Sequence, residues 1–199
     1  MDLDQNEFKK IIEFLSLENF HIDEDFIPKP IGDGQSNPTF LIRDERKNFK
    51  VLRTQPIGNL ARGAHRVDRE FSVIRALFNK GFECPQPYAV CDNPDLIGRM
   101  FYVMDFVEGD INFDPFLPDE SFEDKQKIYK SLAEVLGRLH SYDIDELGLS
   151  FKKNQGFMKR NLSLWYDQIF DDVSKKDKEI EKVYKNILSK LPTESTLSL

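Results

Sequence analysis

The apolar residues fall into blocks of two different periods. From Asn6 to Leu17, Phe8, Ile11, Ile12 and Leu15 recur at helical spacing, which predicts an amphipathic helix. Pro28, Pro30, Gly32, Gly34 and Pro38 then break helical continuity. Two β-prone runs, Thr39 to Arg43 and Phe49 to Arg53, flank the polar turn Asp44 to Asn48 and predict a hairpin. From His65 to Lys80 the helical period returns, with Val67, Phe71, Ile74 and Leu77 on one face and Gly81 as a stop. Pro85 and Pro87 impose an extended approach to Tyr88–Cys91, and Asp92 to Asp95 reads as a turn. Met100 to Val107 is almost continuously apolar, the pattern of a strand buried on both faces, and Glu108-Gly109-Asp110 closes it.

Beyond that point only the helical period remains. Ser121 to His140 carries Ile128, Leu132, Val135, Leu136 and Leu139 on one side, and Ser121 with Asp124 resembles a helix-start signature. Met158 to Phe170 and Val173 to Leu191 predict two further helices, the last striped by Ile180, Val183, Ile187 and Leu191. Strands with two helices first, then helices alone, predict an α+β chain in two lobes, 1–108 and 109–199.

Composition narrows the class. The 199 residues are 40% hydrophobic and 12% aromatic, enough for a packed core. No window approaches 18 consecutive apolar residues, so no transmembrane helix is expected. The charge of -7 argues against a nucleic-acid partner, and no membrane partner is expected. The first seven residues are acidic and lack both a basic and an apolar leader region, so cytoplasm is the expected location. Cys84 and Cys91 are too few for a disulfide framework or a cysteine-based zinc site.

Four features carry candidate chemistry. Ile31 to Phe40 holds Gly32, Gly34, Gln35, Ser36 and Asn37, and such a turn can present N–H groups to a phosphate. It is neither a P-loop nor a dinucleotide fingerprint, and alone it reads equally as an ordinary β-turn. Arg53 on a strand with Glu70 in the next helix is either a phosphate-binding cation with its partner or a plain ion pair. The strand Phe101 to Val107 is either an adenine-contacting hinge or a core strand. His140 ends an apolar helix face, where a structural role outranks a base or ligand. Two charge clusters, Arg53 to Arg75 and Asp110 to Asp124, read first as solvated surface and second as attractors of an anion or a cation.

In this order, the blocks Gly34-Gln35-Ser36-Asn37-Pro38-Thr39-Phe40, Val51-Leu52-Arg53, Ala64 to Phe71, Gly98-Arg99, Phe101 to Gly109 and Leu139-His140-Ser141 resemble the aminoglycoside phosphotransferase family, a branch of the protein-kinase-like fold. The nearest similarity is to the phosphotransferase domain fused to acyl-CoA dehydrogenases. The resemblance implies an antiparallel-sheet first lobe and the start of a helical second lobe. It implies that Gly34, Gln35, Ser36 and Asn37 cover the phosphates of ATP or GTP. Arg53 stands where the nucleotide cation does, Glu70 where its partner does, and Met104, Asp105 and Phe106 where the hinge does. The acceptor it implies is a small-molecule hydroxyl, such as that of an aminoglycoside, choline or a hydroxylated acyl group.

The departure lies in the catalytic loop. The family uses His-Gly-Asp, a later Asn and a second Asp that binds Mg²⁺, whereas this sequence contains no His-Gly-Asp and no His after His140. Two expectations follow. One is the nucleotide-binding part of a truncated phosphotransferase, without catalytic residues or a Mg²⁺ site of its own. The other is a pseudokinase-like binding or interaction module. Uncovered helical stripes in the second lobe would also favour self-association.

Overall fold

A computed structural model describes residues 3–32, 36–58, 60, 64–149, 156–170 and 177–192. It divides into two compact units, 1–125 and 126–199, so the division falls in the first turn of the third helix, later than Gly109.

The first unit is built on a five-stranded antiparallel sheet. Helix α1 (Gln5–Leu17) precedes β1 (Lys29–Pro30), β2 (Thr39–Arg43) and β3 (Phe49–Thr54). Helix α2 (Val67–Asn79) follows, then β4 (Pro87–Cys91) and β5 (Phe101–Asp105). The spatial order is β1-β2-β3-β5-β4, so β5 lies centrally between β3 and β4. Phe101, Tyr102 and Val103 of β5 are buried, as a two-sided strand requires.

Strand alternation assigns the faces. Phe40, Ile42, Leu52, Ala89, Cys91, Phe101 and Val103 share one core with Ile11 and Leu15 of α1. Tyr102, Val90, Met100 and Met104 point the other way and pack with Val67, Phe71 and Ile74 of α2. Helix α1 is anchored twice at its start. The Asp4 carboxylate accepts from the Asn6 and Glu7 amides at 2.8 Å, and Glu7 Oε2 accepts from the Asp4 amide at 3.3 Å. The same Glu7 oxygen takes a 2.8 Å bond from Nη2 of Arg99, whose side chain is fully buried.

Helix α3 (Phe122–His140) begins at Ser121, whose hydroxyl accepts from the Asp124 amide. The second unit continues with α4 (Phe157–Phe170) and α5 (Lys178–Ser189). Tyr166 stacks on Tyr184 at 4.1 Å and holds α4 to α5. The predicted α3 stripe is only partly covered: Ile128, Val135 and Leu139 are half-buried, whereas Leu132 is 58% and Leu136 46% exposed, and no residue of α3, α4 or α5 is fully buried. The part of the predicted last helix at 173–176 lies outside the described residues.

Candidate nucleotide site

The site lies on the α2 face of the sheet, and the ladder register creates it. Thr39 of β2 lies opposite Arg53 of β3, and Arg53 lies opposite Tyr102 of β5. One row across three strands therefore presents a hydroxyl, a guanidinium and a phenol on the same face. The neighbouring row is apolar, with Leu41 opposite Val51 and Val51 opposite Met104.

Glu70 reaches into the polar row from the first turn of α2. Its Oε2 accepts from Arg53 Nε at 2.8 Å and from the Tyr102 hydroxyl at 3.3 Å. Its Oε1 accepts from Asn37 Nδ2 at 2.8 Å. Three donors thus fix one carboxylate, and the carboxylate in turn fixes Arg53. Arg53 Nη1 donates to Thr39 Oγ1 at 3.0 Å, and among the described residues its Nη2 has no partner. Arg53 and Glu70 are each about one-third exposed at the side chain, so the pair contributes only about 0–1 kcal/mol to stability. Its value lies in orientation. Burial pushes the Tyr102 hydroxyl far above its ordinary range, and the Glu70 charge adds to the shift. Tyr102 therefore remains a neutral donor to Glu70.

A second layer supports the first. His65 has a positive φ of 55° and places Nδ1 3.0 Å from Asn37 Oδ1. Since the Asn37 amide nitrogen is committed to Glu70, its oxygen accepts and His65 Nδ1 donates. The buried Gln55 side chain donates to the His65 carbonyl at 2.8 Å and accepts from the Met100 amide at 3.1 Å. It thereby ties the start of α2 to the start of β5.

Arg53, Arg66, Arg69, Glu70, Val73, Ile74, Tyr102 and Met104 line an open cleft of about 540 Å³. Arginine side chains and the apolar Val73, Ile74 and Met104 share its lining. Arg66 is paired with Asp68, its Nε 2.7 Å from Oδ1.

The residues singled out in the sequence are distributed unevenly. Arg53, Glu70 and Met104 meet at the cleft. Gly34 and Gln35 lie outside the described residues, and Ser36 is exposed. Asn37 is buried and its side chain turns inward to Glu70 and His65, so it braces the carboxylate rather than offering its amide outward. Asp105 points to the opposite face, and Phe106 is half-exposed beside Phe49. His140 is exposed at the end of α3. Sequence reasoning missed Thr39, Tyr102, His65 and Gln55. Thr39 and Tyr102 become legible only through cross-strand register. Among the described residues no cluster of three acidic, histidine or cysteine side chains could hold a metal, and no helix is long and apolar enough to cross a membrane.

This fold and this site define the class. A family model, the phosphotransferase enzyme family, matches residues 28–199, and the chain belongs to that family. It is 45% identical over 136 residues to acyl-CoA dehydrogenase family member 11 of Rattus norvegicus, covering 68% of this chain and 17% of the relative. It is 41% identical over 149 residues to IBR3 of Arabidopsis thaliana, provisionally named an acyl-CoA dehydrogenase, covering 72% of this chain and 18% of that protein. The chain therefore spans less than one-fifth of these relatives. A Ralstonia eutropha protein provisionally named an aminoglycoside phosphotransferase superposes with TM-score 0.63 at 24% identity, over 94% of this chain and 54% of its own. A variant of aminoglycoside 2'-phosphotransferase-IIIa in complex with GDP gives 0.54 at 18%, over 92% and 57%. The expected kinase-like α+β fold is the one found.

Proposed function

We propose that these residues form the nucleotide-binding portion of an ATP-dependent phosphotransferase that acts on a small-molecule hydroxyl. The observation that carries this is the Arg53 guanidinium, aimed by Glu70 and Thr39 into a partly apolar cleft. Because Glu70 takes Nε, a phosphate would meet the Nη end of Arg53 rather than its Nε edge. A purine would lie against the apolar lining of Val73, Ile74 and Met104. Either ATP or GTP fits this mixed lining of cations and apolar side chains.

Among the described residues no three acidic, histidine or cysteine side chains converge. Nor does the sequence contain the His-Gly-Asp that would orient an acceptor hydroxyl and take its proton. These 199 residues are therefore expected to bind nucleotide without turning it over. A second reading, a non-catalytic interaction module that self-associates, is favoured by the exposed Leu132 and Leu136 of α3. Calorimetric titration with ATP and GTP tests the site, and sedimentation tests association. Saturable nucleotide binding by a monomer supports the first reading. Absence of binding together with a dimer would replace it with the second. Phosphoryl transfer from Mg-ATP by the purified chain would overturn the expected lack of turnover.

A further inference from the structure

On the face of the sheet opposite the cleft, four polar groups close on one another behind the end of β5. Lys50 Nζ donates to Asp105 Oδ1 at 2.7 Å and to the Tyr88 hydroxyl at 3.0 Å. The Tyr88 hydroxyl donates to the same Asp105 oxygen at 2.7 Å, which completes a triangle. The Lys50 ammonium also lies 4.7 Å over the Tyr88 ring and 3.7 Å from Asp44 Oδ2. Asp44 is itself held by the Asn48 amide at 2.8 Å and the Asn48 side chain at 3.1 Å.

Two features of the backbone build this triangle. Lys50 and Asp105 are register partners across the β3–β5 ladder. The β4–β5 register slips between Pro87 and Ala89, so Tyr88 is the extra residue of a bulge. The bulge lets Tyr88 and Ala89 both face the α1 side, where Phe20 packs on the Tyr88 ring at 4.6 Å. Burial pulls the Lys50 ammonium down, but its bonds to Asp105 and Tyr88 prevail and hold it above the ordinary lysine range.

Asp105 is the last ladder residue of β5, and 106–110 are exposed and outside the sheet. The direction in which the chain leaves the sheet is therefore set at Asp105. Its amide is committed to the Gln86 carbonyl at 2.9 Å and its carboxylate to the triangle. Met104, one residue earlier, lines the cleft on the other face. We propose that Lys50 and Tyr88 are positioning residues for nucleobase recognition: by clamping Asp105 from behind, they fix Met104 and the chain that follows it against the base. They do not act on the phosphates, because Arg53 is held separately by Glu70 and Thr39. This inference rests on the nucleotide reading above and deepens it.

The test is the ratio of affinities for the better of ATP or GTP and for CTP, measured by calorimetry on the full chain. The triphosphate is common to all three, so the ratio reports the base alone. Lys50→Met should shrink the ratio by about tenfold, a loss typical of a broken charge-assisted bond, and Tyr88→Phe by about threefold. Binding of CTP should stay within about twofold of the parent chain. If Lys50→Met fails to fold, Tyr88→Phe decides, since it retains the ring and its packing. A ratio unchanged in the folded variants, or a parent chain that does not distinguish purine from pyrimidine, would overturn the inference and leave the nucleotide site standing. A parent chain that binds no triphosphate would overturn both.

Discussion

The two halves of the chain invest the same residue types differently. In the first unit, apolar stripes meet partners: α1 buries Ile11 and Leu15, and α2 buries Val67, Phe71 and Leu77 against the sheet. In the second, α3, α4 and α5 carry stripes of equal regularity and bury none of them fully. Amphipathic periodicity thus specifies that a helix forms, while burial depends on a second surface of matching shape. The consequence for function is direct. The site stands entirely on elements that own their core, so its geometry can be rigid.

The sharpest way to break this contrast is truncation on each side. Phe101→Ala, in the central strand, should destabilise the chain by about 3–5 kcal/mol, whereas Leu132→Ala on the exposed part of the α3 stripe should change it by about 0.5 kcal/mol or less. Denaturant unfolding followed by far-ultraviolet circular dichroism measures both, and equal effects would contradict the contrast.

Somewhat smaller is the effect at the start of α1. Arg99 is fully buried and pairs with Glu7, while among the described residues its Nε and Nη1 have no partners. Glu7→Ala strips the cation of its counter-charge and should cost about 3 kcal/mol, whereas Arg99→Met should be neutral or stabilising because it removes a buried charge. A large loss on Arg99→Met would show that the guanidinium holds more than Glu7.

Much of this architecture was legible in the sequence, and the exceptions share a cause. Thr39–Arg43 appears with the bounds its alternation predicts, and α1 to α4 lie within a few residues of their predicted limits, because each is encoded by local period. Arg53 and Glu70 were legible as a pair because a strand cation followed by a helix carboxylate is a local pattern. Thr39, Tyr102 and the Lys50–Tyr88–Asp105 triangle were not, because register and a bulge bring them together and neither is written in any single segment. Asn37 was placed in the right turn, but which way its amide points depends on Glu70 and His65.

Smaller again is the response to acid, which also separates the halves. The Asn48 bonds and the Lys50 charge overcome burial and hold the Asp44 carboxyl below the ordinary aspartate value of 3.8; the Arg66 side chain does the same for Asp68. Each depressed carboxylate adds stability that is fully present above that value and is lost as pH falls through the folded-state value. Melting temperature should therefore drop as pH is lowered below about 4, with the sheet amides losing hydrogen-exchange protection in step. In the second unit, the exposed Lys185–Glu181 pair should matter least: Lys185→Ala is expected to leave the melting temperature unchanged.

The account depends most on Arg53 as the cation that meets the nucleotide. Calorimetric titration of ATP into the parent chain and into Arg53→Ala reads this directly. The arrangement around Glu70 predicts saturable binding by the parent and a loss of about tenfold or more in the variant, with an unchanged melting temperature. Equal affinity in the two proteins would contradict it.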